Sequence, residues 1–174
     1  MQRMVGVAVG LGMLLLFGLP FGAAARADDF PPRKPGLWQI EMAMQGRQMP
    51  QQQMTMCIDA TTDAELYKLG LNASQGMCDK PAISRSGSTV TVDAVCRIGE
   101  SRTTTHSVTI YSGDTSYHTD ASTKIDPPIG GHGDSAMTQD AKWVSSCPAD
   151  MQPGDLSMGN GMKMNVKQMF SGKP

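Results

Sequence analysis

The sequence predicts an all-β protein with a single antiparallel domain, folded as a curved sheet, a partial barrel or a sandwich, and with one short helix. Seven short segments alternate apolar with polar residues or are rich in β-branched residues, as half-buried strands are. Turn signals that contain glycine separate many of these segments, which favours antiparallel neighbours. Since the chain has 174 residues, one domain is enough to accommodate them.

The N-terminus has the layout of a secretory signal. Arg3 precedes an apolar run from Val5 to Phe21, and the small residues of Ala25-Arg26-Ala27 suit signal peptidase. The run is short for a membrane span, so we expect cleavage between Ala27 and Asp28 and no integral membrane segment afterwards. The predicted location is periplasmic or secreted, in a bacterium. The predicted division is a signal peptide (1–27), a polar lead (28–34), a β domain (35–150) and a weakly structured tail rich in Met, Gly and Lys (151–174).

The first half of the domain predicts a hairpin and a helix. Leu37 to Met44 and Met54 to Ile58 are the two arms of the hairpin, and Trp38 is its large apolar anchor. Thr61 to Leu69 is predicted as a short helix, capped by Thr61 or Thr62 and ended by Gly70.

The second half predicts two further hairpins, a loop and a last strand. The hairpins turn at Gly87 and at Gly113. Their arms are Ile83 to Ser86 with Thr89 to Arg97, and Arg102 to Tyr111 with Ser116 to Ile125. Asp126 to Asp134 contains two prolines and three glycines and is predicted as a loop, and Thr138 to Cys147 as a strand.

Four cysteines follow the signal, which predicts two disulfides in an exported protein. Of the three possible pairings, local sequence favours one. Cys78 and Cys96 each stand nine residues from Gly87, so a hairpin folded about that turn would place them opposite each other. Cys57 then pairs with Cys147 by elimination. Metal or redox roles are disfavoured because the chain has no Cys-x-x-Cys pair and no zinc-type spacing.

An ordered set of features resembles one bacterial family. It comprises Pro35-Gly36-Leu37-Trp38-Gln39-Ile40, the Met-rich stretch that ends in Met54-Thr55-Met56-Cys57-Ile58, the pair Cys78 and Cys96 around a glycine turn, and Trp143 with Cys147. These features resemble the exported domain of unknown function 3617 over roughly residues 33 to 155. The chain departs from that pattern in Gln39 and in the absence of a glycine after Trp143. The resemblance implies a small exported β-rich protein with paired cysteines, and it transfers no activity or site residue.

Charge argues against nucleic acid and membrane surfaces as partners. Loss of the signal removes two arginines and no acid, which leaves a net charge of about −3. No basic cluster is longer than Arg33-Lys34, whereas binding to phosphates or to anionic lipids requires a concentrated cationic face.

Methionine pairs are the sharpest chemical hypothesis. Met42 with Met44 and Met54 with Met56 have the spacing that puts both thioethers on one face of a strand, and Met162 with Met164 repeats it. Thioethers are suitable ligands for Cu(I), so the first two pairs predict a possible copper site. The plainer interpretation is that methionine fills the buried face of the sheet.

No catalytic residues are predicted. His106 and His118 could be neighbours across the Gly113 hairpin, and Ser107 or Ser145 with Asp120 or Asp134 would complete a hydrolase, but no motif places these residues together. The loop at Gly130-Gly131-His132-Gly133 lacks the Lys and Ser/Thr of a phosphate loop. We therefore predict a non-catalytic binding or accessory module of the cell envelope without a cofactor, whose partner is a small apolar ligand or an envelope protein. Cu(I) handling is the alternative.

Overall fold

The computed structural model describes residues 30–45, 51–73, 76–159 and 161–171. The predicted signal peptide and its cleavage site at Ala27 and Asp28 lie outside this part of the chain. The described residues form nine strands and two helices. In chain order these are β1 (Gly36–Gln45), β2 (Gln52–Ile58), α1 (Ala60–Ala73), β3 (Ala82–Ser86), β4 (Thr89–Ile98), β5 (Ser101–Ser112), β6 (Ser116–Ile129), β7 (His132–Ser145), β8 (Asp155–Met158), β9 (Lys163–Asn165) and α2 (Val166–Ser171).

All nine strands belong to one antiparallel, open and curved sheet, which confirms the predicted all-β class. The strand order is β3-β4-β5-β6-β7-β1-β2-β8-β9. The three predicted hairpins are present as β1–β2, β3–β4 and β5–β6. Gly87 and Gly113 turn two of them with φ angles of 60° and 66°, a conformation that glycine adopts without steric cost.

The predicted loop at Asp126 to Asp134 is wrong. β6 continues through Pro127 and Pro128 to Ile129, Gly130-Gly131 makes a two-residue turn, and β7 begins at His132. Glycine at both central positions suits such a turn. The β6–β7 register shifts between Lys124 and Ile129, where the prolines lie, because proline cannot donate a ladder hydrogen bond.

For the weakly structured tail the sequence predicts either a weak helix near Lys163 to Phe170 or disorder, and the structure has helix α2 at Val166–Ser171 together with two short strands that were not predicted. Asp155–Met158 pairs with β2 and Lys163–Asn165 pairs with β8, so both segments extend the sheet. Leu156 and Val166 are buried there. Such short strands give little periodic signal in the sequence, and their pairing with β2 is a tertiary interaction.

The predicted helix exists, but its ends differ from the prediction. α1 begins at Ala60, and its cap is Asp59, whose Oδ1 accepts the backbone N–H of Thr62 at 2.6 Å. The side chain of Thr62 and then its backbone N–H lower the pKa of Asp59. The helix continues past Gly70 to Ala73, since a single glycine costs a helix only about 1 kcal/mol.

The structure pairs the cysteines as the sequence predicts. Cys57 joins Cys147 with their Cα atoms 5.5 Å apart, and Cys78 joins Cys96 with theirs 3.8 Å apart. Cys78 and Cys96 face each other in an isolated bridge beyond the β3–β4 hairpin. Hydrogen bonds from Asp79 N to Val95 O and from Arg97 N to Met77 O flank that bridge.

Alternation along the strands gives the sheet two faces. We call the face that carries Trp38 and Ile40 the inner face, and the face that carries Gln39 and Glu41 the outer face. The core lies on the inner face, where Trp38, Ile40, Ile58 and Ala141 are buried. Helix α1 contributes Leu66 to this core and so covers one end of the inner face. At that end Gly36 is required, because a Cβ there would lie 2.3 Å from the carbonyl oxygen of Ser145.

Candidate functional site

The inner face carries a surface of half-buried methionines. Met44 on β1 lies directly opposite Met137 on β7, and Met54 on β2 directly opposite Met158 on β8. The full set comes from five strands, and we call it the methionine surface: Met42, Met44, Met54, Met56, Met137, Met158 and Met164. All seven are partly exposed. The alternation of side chains along a strand therefore puts the predicted Met pairs on one face. The same face also carries methionines that the sequence pattern did not group with those pairs.

The structure does not bring the four predicted copper ligands together. Ile40 faces Met54 and Trp38 faces Met56, so only Met42 and Met54 are diagonal neighbours across β1 and β2. In this register Met56 and Met44 are displaced by six residues along the strands, or about 20 Å. One ion cannot bind all four thioethers. In the third pair, Met164 faces Leu156 on β8, and Met162 lies just before β9, where its carbonyl oxygen accepts the backbone N–H of Met158.

A second surface of hydroxyl groups continues the inner face on β5 and β6. Thr109 and Thr119 are joined by a hydrogen bond of 2.8 Å between their hydroxyls, and Thr105 and Thr123 by one of 3.1 Å. With Ser107 these residues form what we call the hydroxyl surface. It adjoins the methionine surface, because Ala121 on β6 lies opposite Met137 on β7. This surface was not among the predicted sites, although hydroxyl residues at alternate positions from Ser101 to Thr109 are a signal of it in the sequence.

Charge separates the two faces of the sheet. In the described strands from β4 through β9, and in β1 and β2, every charged side chain projects from the outer face. Examples on the outer face are Glu41, Asp93, Arg102, Asp120 and Lys142. In these strands the inner positions carry only apolar, hydroxyl, amide or sulfur groups, whereas the edge strand β3 places Arg85 on the inner face, opposite Val90. The inner face therefore offers an uncharged contact surface away from that edge.

The only charges that the described residues bury against this face neutralise each other. Arg33 donates from Nε to Asp63 Oδ1 at 2.7 Å and from its backbone N–H to Oδ2 at 2.8 Å. Its guanidinium lies 5.4–5.8 Å from the ring centroids of Trp38, Tyr67 and Tyr117. This aromatic cage closes the helix-covered end of the inner face.

Protonation states in the cage follow from its burial. Burial alone would lower the pKa of the Arg33 guanidinium, but Tyr67, Tyr117 and the Asp63 carboxylate raise it, and the net shift is upward. Burial also raises the pKa of Tyr67, Tyr111 and Tyr117, so these phenols stay neutral. The Tyr67 and Tyr111 hydroxyls are 3.2 Å apart and hydrogen-bonded. The cage is therefore internally satisfied and fastens α1 to the sheet.

The outer face carries His118 and His106 in two open clefts. One, of about 380 Å³, is lined by residues that include Glu41, Ile110, His118, Asp140 and Lys142. His118 Nδ1 is 2.7 Å from Asp140 Oδ1 and its Nε2 is 3.3 Å from Asp120 Oδ2. The hydrogen bond with Asp140 raises the pKa of His118, and both carboxylates favour its charged form.

The second cleft, of about 590 Å³, lies further along the same face and includes His106, Lys124 and Asp134. His106 Nδ1 is 2.7 Å from Asp93 Oδ1. His106 and His118, which could have been neighbours across the hairpin, are not, because the turn spans Gly113 to Thr115 and sets His106 opposite Ser122 and His118 opposite Ile110.

The residues that a hydrolase would require are divided between the two faces. Ser107 lies on the inner face, where its hydroxyl is 3.5 Å from Val92 O, whereas His106 and His118 project from the outer face. Ser145 ends β7 and donates to the carbonyl of Ser146. The described residues contain no group of three or more His, Cys, Asp or Glu side chains placed to hold a metal ion.

Comparison with known proteins identifies a family without a described activity. The model of the family described as "Protein of unknown function (DUF3617)" matches residues 33–147, which include the paired cysteines and the strands from β1 through β7. No curated protein and no solved structure matches the chain significantly. Among the described helices, none is long and apolar enough to cross a membrane. The match covers well over half of the sequence, and the chain belongs to the DUF3617 family.

Proposed function

We propose that this protein is a non-catalytic binding module that holds a small apolar molecule against the methionine surface. One observation carries the proposal: seven methionines from five strands share one uncharged face and remain partly exposed. Soluble proteins rarely leave contiguous apolar area open to water without a partner for it.

Methionine suits this role better than other apolar residues. Its unbranched thioether side chain has three rotatable bonds and can repack around ligands of different shape. Met44 and Met137 lie beyond the residues that pack on the Trp38 core, so a ligand there would leave the core undisturbed. Burying their exposed area would contribute roughly 25 cal/mol per Å².

Features typical of exported proteins support an accessory role in the cell envelope. Two cysteine pairs at disulfide distance fit an oxidising compartment, and the N-terminus has the layout of a signal peptide. Ser107 lies on the opposite face of the sheet from His106 and His118, and this separation supports a function without catalysis.

Dye binding tests the proposal. We expect N-phenyl-1-naphthylamine, an uncharged apolar fluorophore, to bind the mature protein saturably with a blue-shifted emission. Met44→Gln with Met137→Gln keeps the side-chain length but adds an amide, and should weaken Kd at least about tenfold. The control is Met77→Gln, because Met77 is 56% exposed and lies outside the methionine surface. Absence of saturable binding, or an equal loss in the control, would contradict the proposal.

Cu(I) handling is the second candidate, and one contact favours it. Met44 and Met137 are direct cross-strand partners, and Met42 lies two residues along the same face. Three thioethers can bind Cu(I). Native mass spectrometry of the mature protein with Cu(I) and a competing chelator tests this site. A stoichiometric adduct that Met44→Gln abolishes would support it, and absence of an adduct would exclude it.

A further inference from the structure

The two surfaces of the inner face differ in chemistry and lie side by side. The methionine surface occupies β7, β1, β2, β8 and β9, and the hydroxyl surface occupies β5 and β6. We infer that the ligand is an uncharged single-chain amphiphile whose alkyl chain lies on the methionine surface and whose hydroxyl or ester head contacts the hydroxyl surface. This inference rests on the proposed function and adds the chemical class of the ligand.

The hydroxyl surface has unused hydrogen-bonding capacity. Thr105 and Thr123 share one hydrogen bond of 3.1 Å, and Thr109 and Thr119 share one of 2.8 Å. In each pair one hydroxyl proton is used, so the second proton and several lone pairs stay available. Thr105, Ser107 and Thr123 are partly exposed, so a ligand can reach them. A neutral head with a hydroxyl and a carbonyl oxygen can both donate to and accept from these groups.

The inner face discriminates against charged heads. The strands that carry the two surfaces supply no counter-ion at their described inner positions, and Arg85 lies on the edge strand β3, two strands from β5. Arg33 and Asp63 already satisfy each other at the helix-covered end. An ionised carboxylate or ammonium placed on these surfaces would lose hydration without gaining an opposite charge, which is unfavourable for a buried ion. An ester or hydroxyl pays a much smaller desolvation penalty, which hydrogen bonds offset.

The geometry also fits one extended chain. Strands in a sheet are about 4.8 Å apart and residues about 3.3 Å apart along a strand, so the line from Thr123 on β6 across β7 to Met42 on β1 measures roughly 16 Å. Met137 and Met44 lie close to this line. A medium-length alkyl chain that starts at Thr123 would thus meet a thioether on each of the two strands, β7 and β1, that it crosses.

Competition against bound N-phenyl-1-naphthylamine tests the inference, with three competitors that share one alkyl chain. They are 1-monolauroylglycerol, laurate and dodecylamine, used below their aggregation concentrations at a pH where laurate is ionised and dodecylamine is protonated. We expect the glyceride to displace the dye at a concentration at least about tenfold lower than either charged competitor. Such a ratio corresponds to a difference in binding free energy of about one hydrogen bond or more.

Matched threonine variants locate the head group. Thr105→Val with Thr123→Val removes the hydroxyls but keeps the side-chain shape, and should abolish the advantage of the glyceride while dye binding persists. Thr104→Val is the control, since Thr104 is exposed on the outer face of the same strand. Thermal unfolding verifies that each variant is folded.

The outcomes separate the two proposals. If laurate or dodecylamine displaces the dye as well as the glyceride does, the inference on ligand class is overturned and the proposed function stands. The same holds if the double threonine variant keeps the full preference for the glyceride. If the dye does not bind at all, both proposals fail.

Discussion

Among the residues that the structure describes, the buried guanidinium of Arg33 has a single oppositely charged partner. Its guanidinium is buried under three aromatic rings, and Asp63 supplies the opposite charge. Removing one member of a buried pair leaves an uncompensated charge, which costs about 3–5 kcal/mol, whereas an exposed pair contributes below about 1 kcal/mol. Helix α1 contains both cases, because Glu65 forms an exposed pair with Lys167 at 3.1 Å.

We therefore expect Asp63→Asn to lower the free energy of unfolding by about 3 kcal/mol or more. Glu65→Gln, on the same helix, is the matched control and should change it by less than about 1 kcal/mol. Urea unfolding followed by tryptophan fluorescence measures both values, since Trp38 borders the Arg33 cage. Equal effects of the two substitutions would show that the cage does not stabilise the fold.

At the scale of elements, β8 decides whether the C-terminal segment belongs to the folded domain. Leu156 on β8 is 8% exposed and lies opposite Met56 on β2. Leu156→Ala should therefore lower the free energy of unfolding by about 2–5 kcal/mol, the usual range for a buried leucine. The control is Ile98→Ala, because Ile98 is 52% exposed at the end of β4. If chemical unfolding gives a small loss for both, β8 is not packed on the sheet in solution.

Elements whose signal is local were predictable from the sequence. The hairpins at Gly87 and Gly113 combine glycine turns with β-branched arms, and both are present. The disulfide between Cys78 and Cys96 was predictable from the first of these hairpins. Pro127-Pro128 obscured the end of β6, and the short strands β8 and β9 depend on pairing with β2, which no local pattern announces.

The candidate site was predictable only in its chemistry. The Met-x-Met spacing correctly put pairs on one face, but the register that separates Met44 from Met56 is set by long-range pairing. Met137 became part of the surface because β1 inserts between β7 and β2, a topological fact. The uncharged nature of the inner face depends on the register of the strands with one another, which local sequence does not specify.

At the scale of the whole molecule, the sheet order makes one disulfide more important than the other. The first strand, β1, lies between β7 and β2, so the two halves of the sheet meet only after β7 has been synthesised. Cys57 at the end of β2 joins Cys147 just after β7, which fixes both neighbours of β1. Cys78–Cys96 instead links elements that are already close in the chain.

The loops that these bonds close differ fivefold in length, with sequence separations of 90 and 18 residues. In the chain-entropy model the longer loop is worth roughly 4.5 kcal/mol and the shorter one roughly 3 kcal/mol, because closing a longer loop removes more freedom from the unfolded chain.

Cys57→Ala with Cys147→Ala should therefore destabilise the protein more than Cys78→Ala with Cys96→Ala. Urea unfolding of both variants measures the difference. Reduced wild-type protein serves as the reference, because it lacks both bonds but keeps every sulfur atom, so cavities left by alanine can be separated from loss of the cross-link. A larger loss on removing Cys78–Cys96 would mean that the β3–β4 end, and not the junction at β1, limits the stability of the sheet.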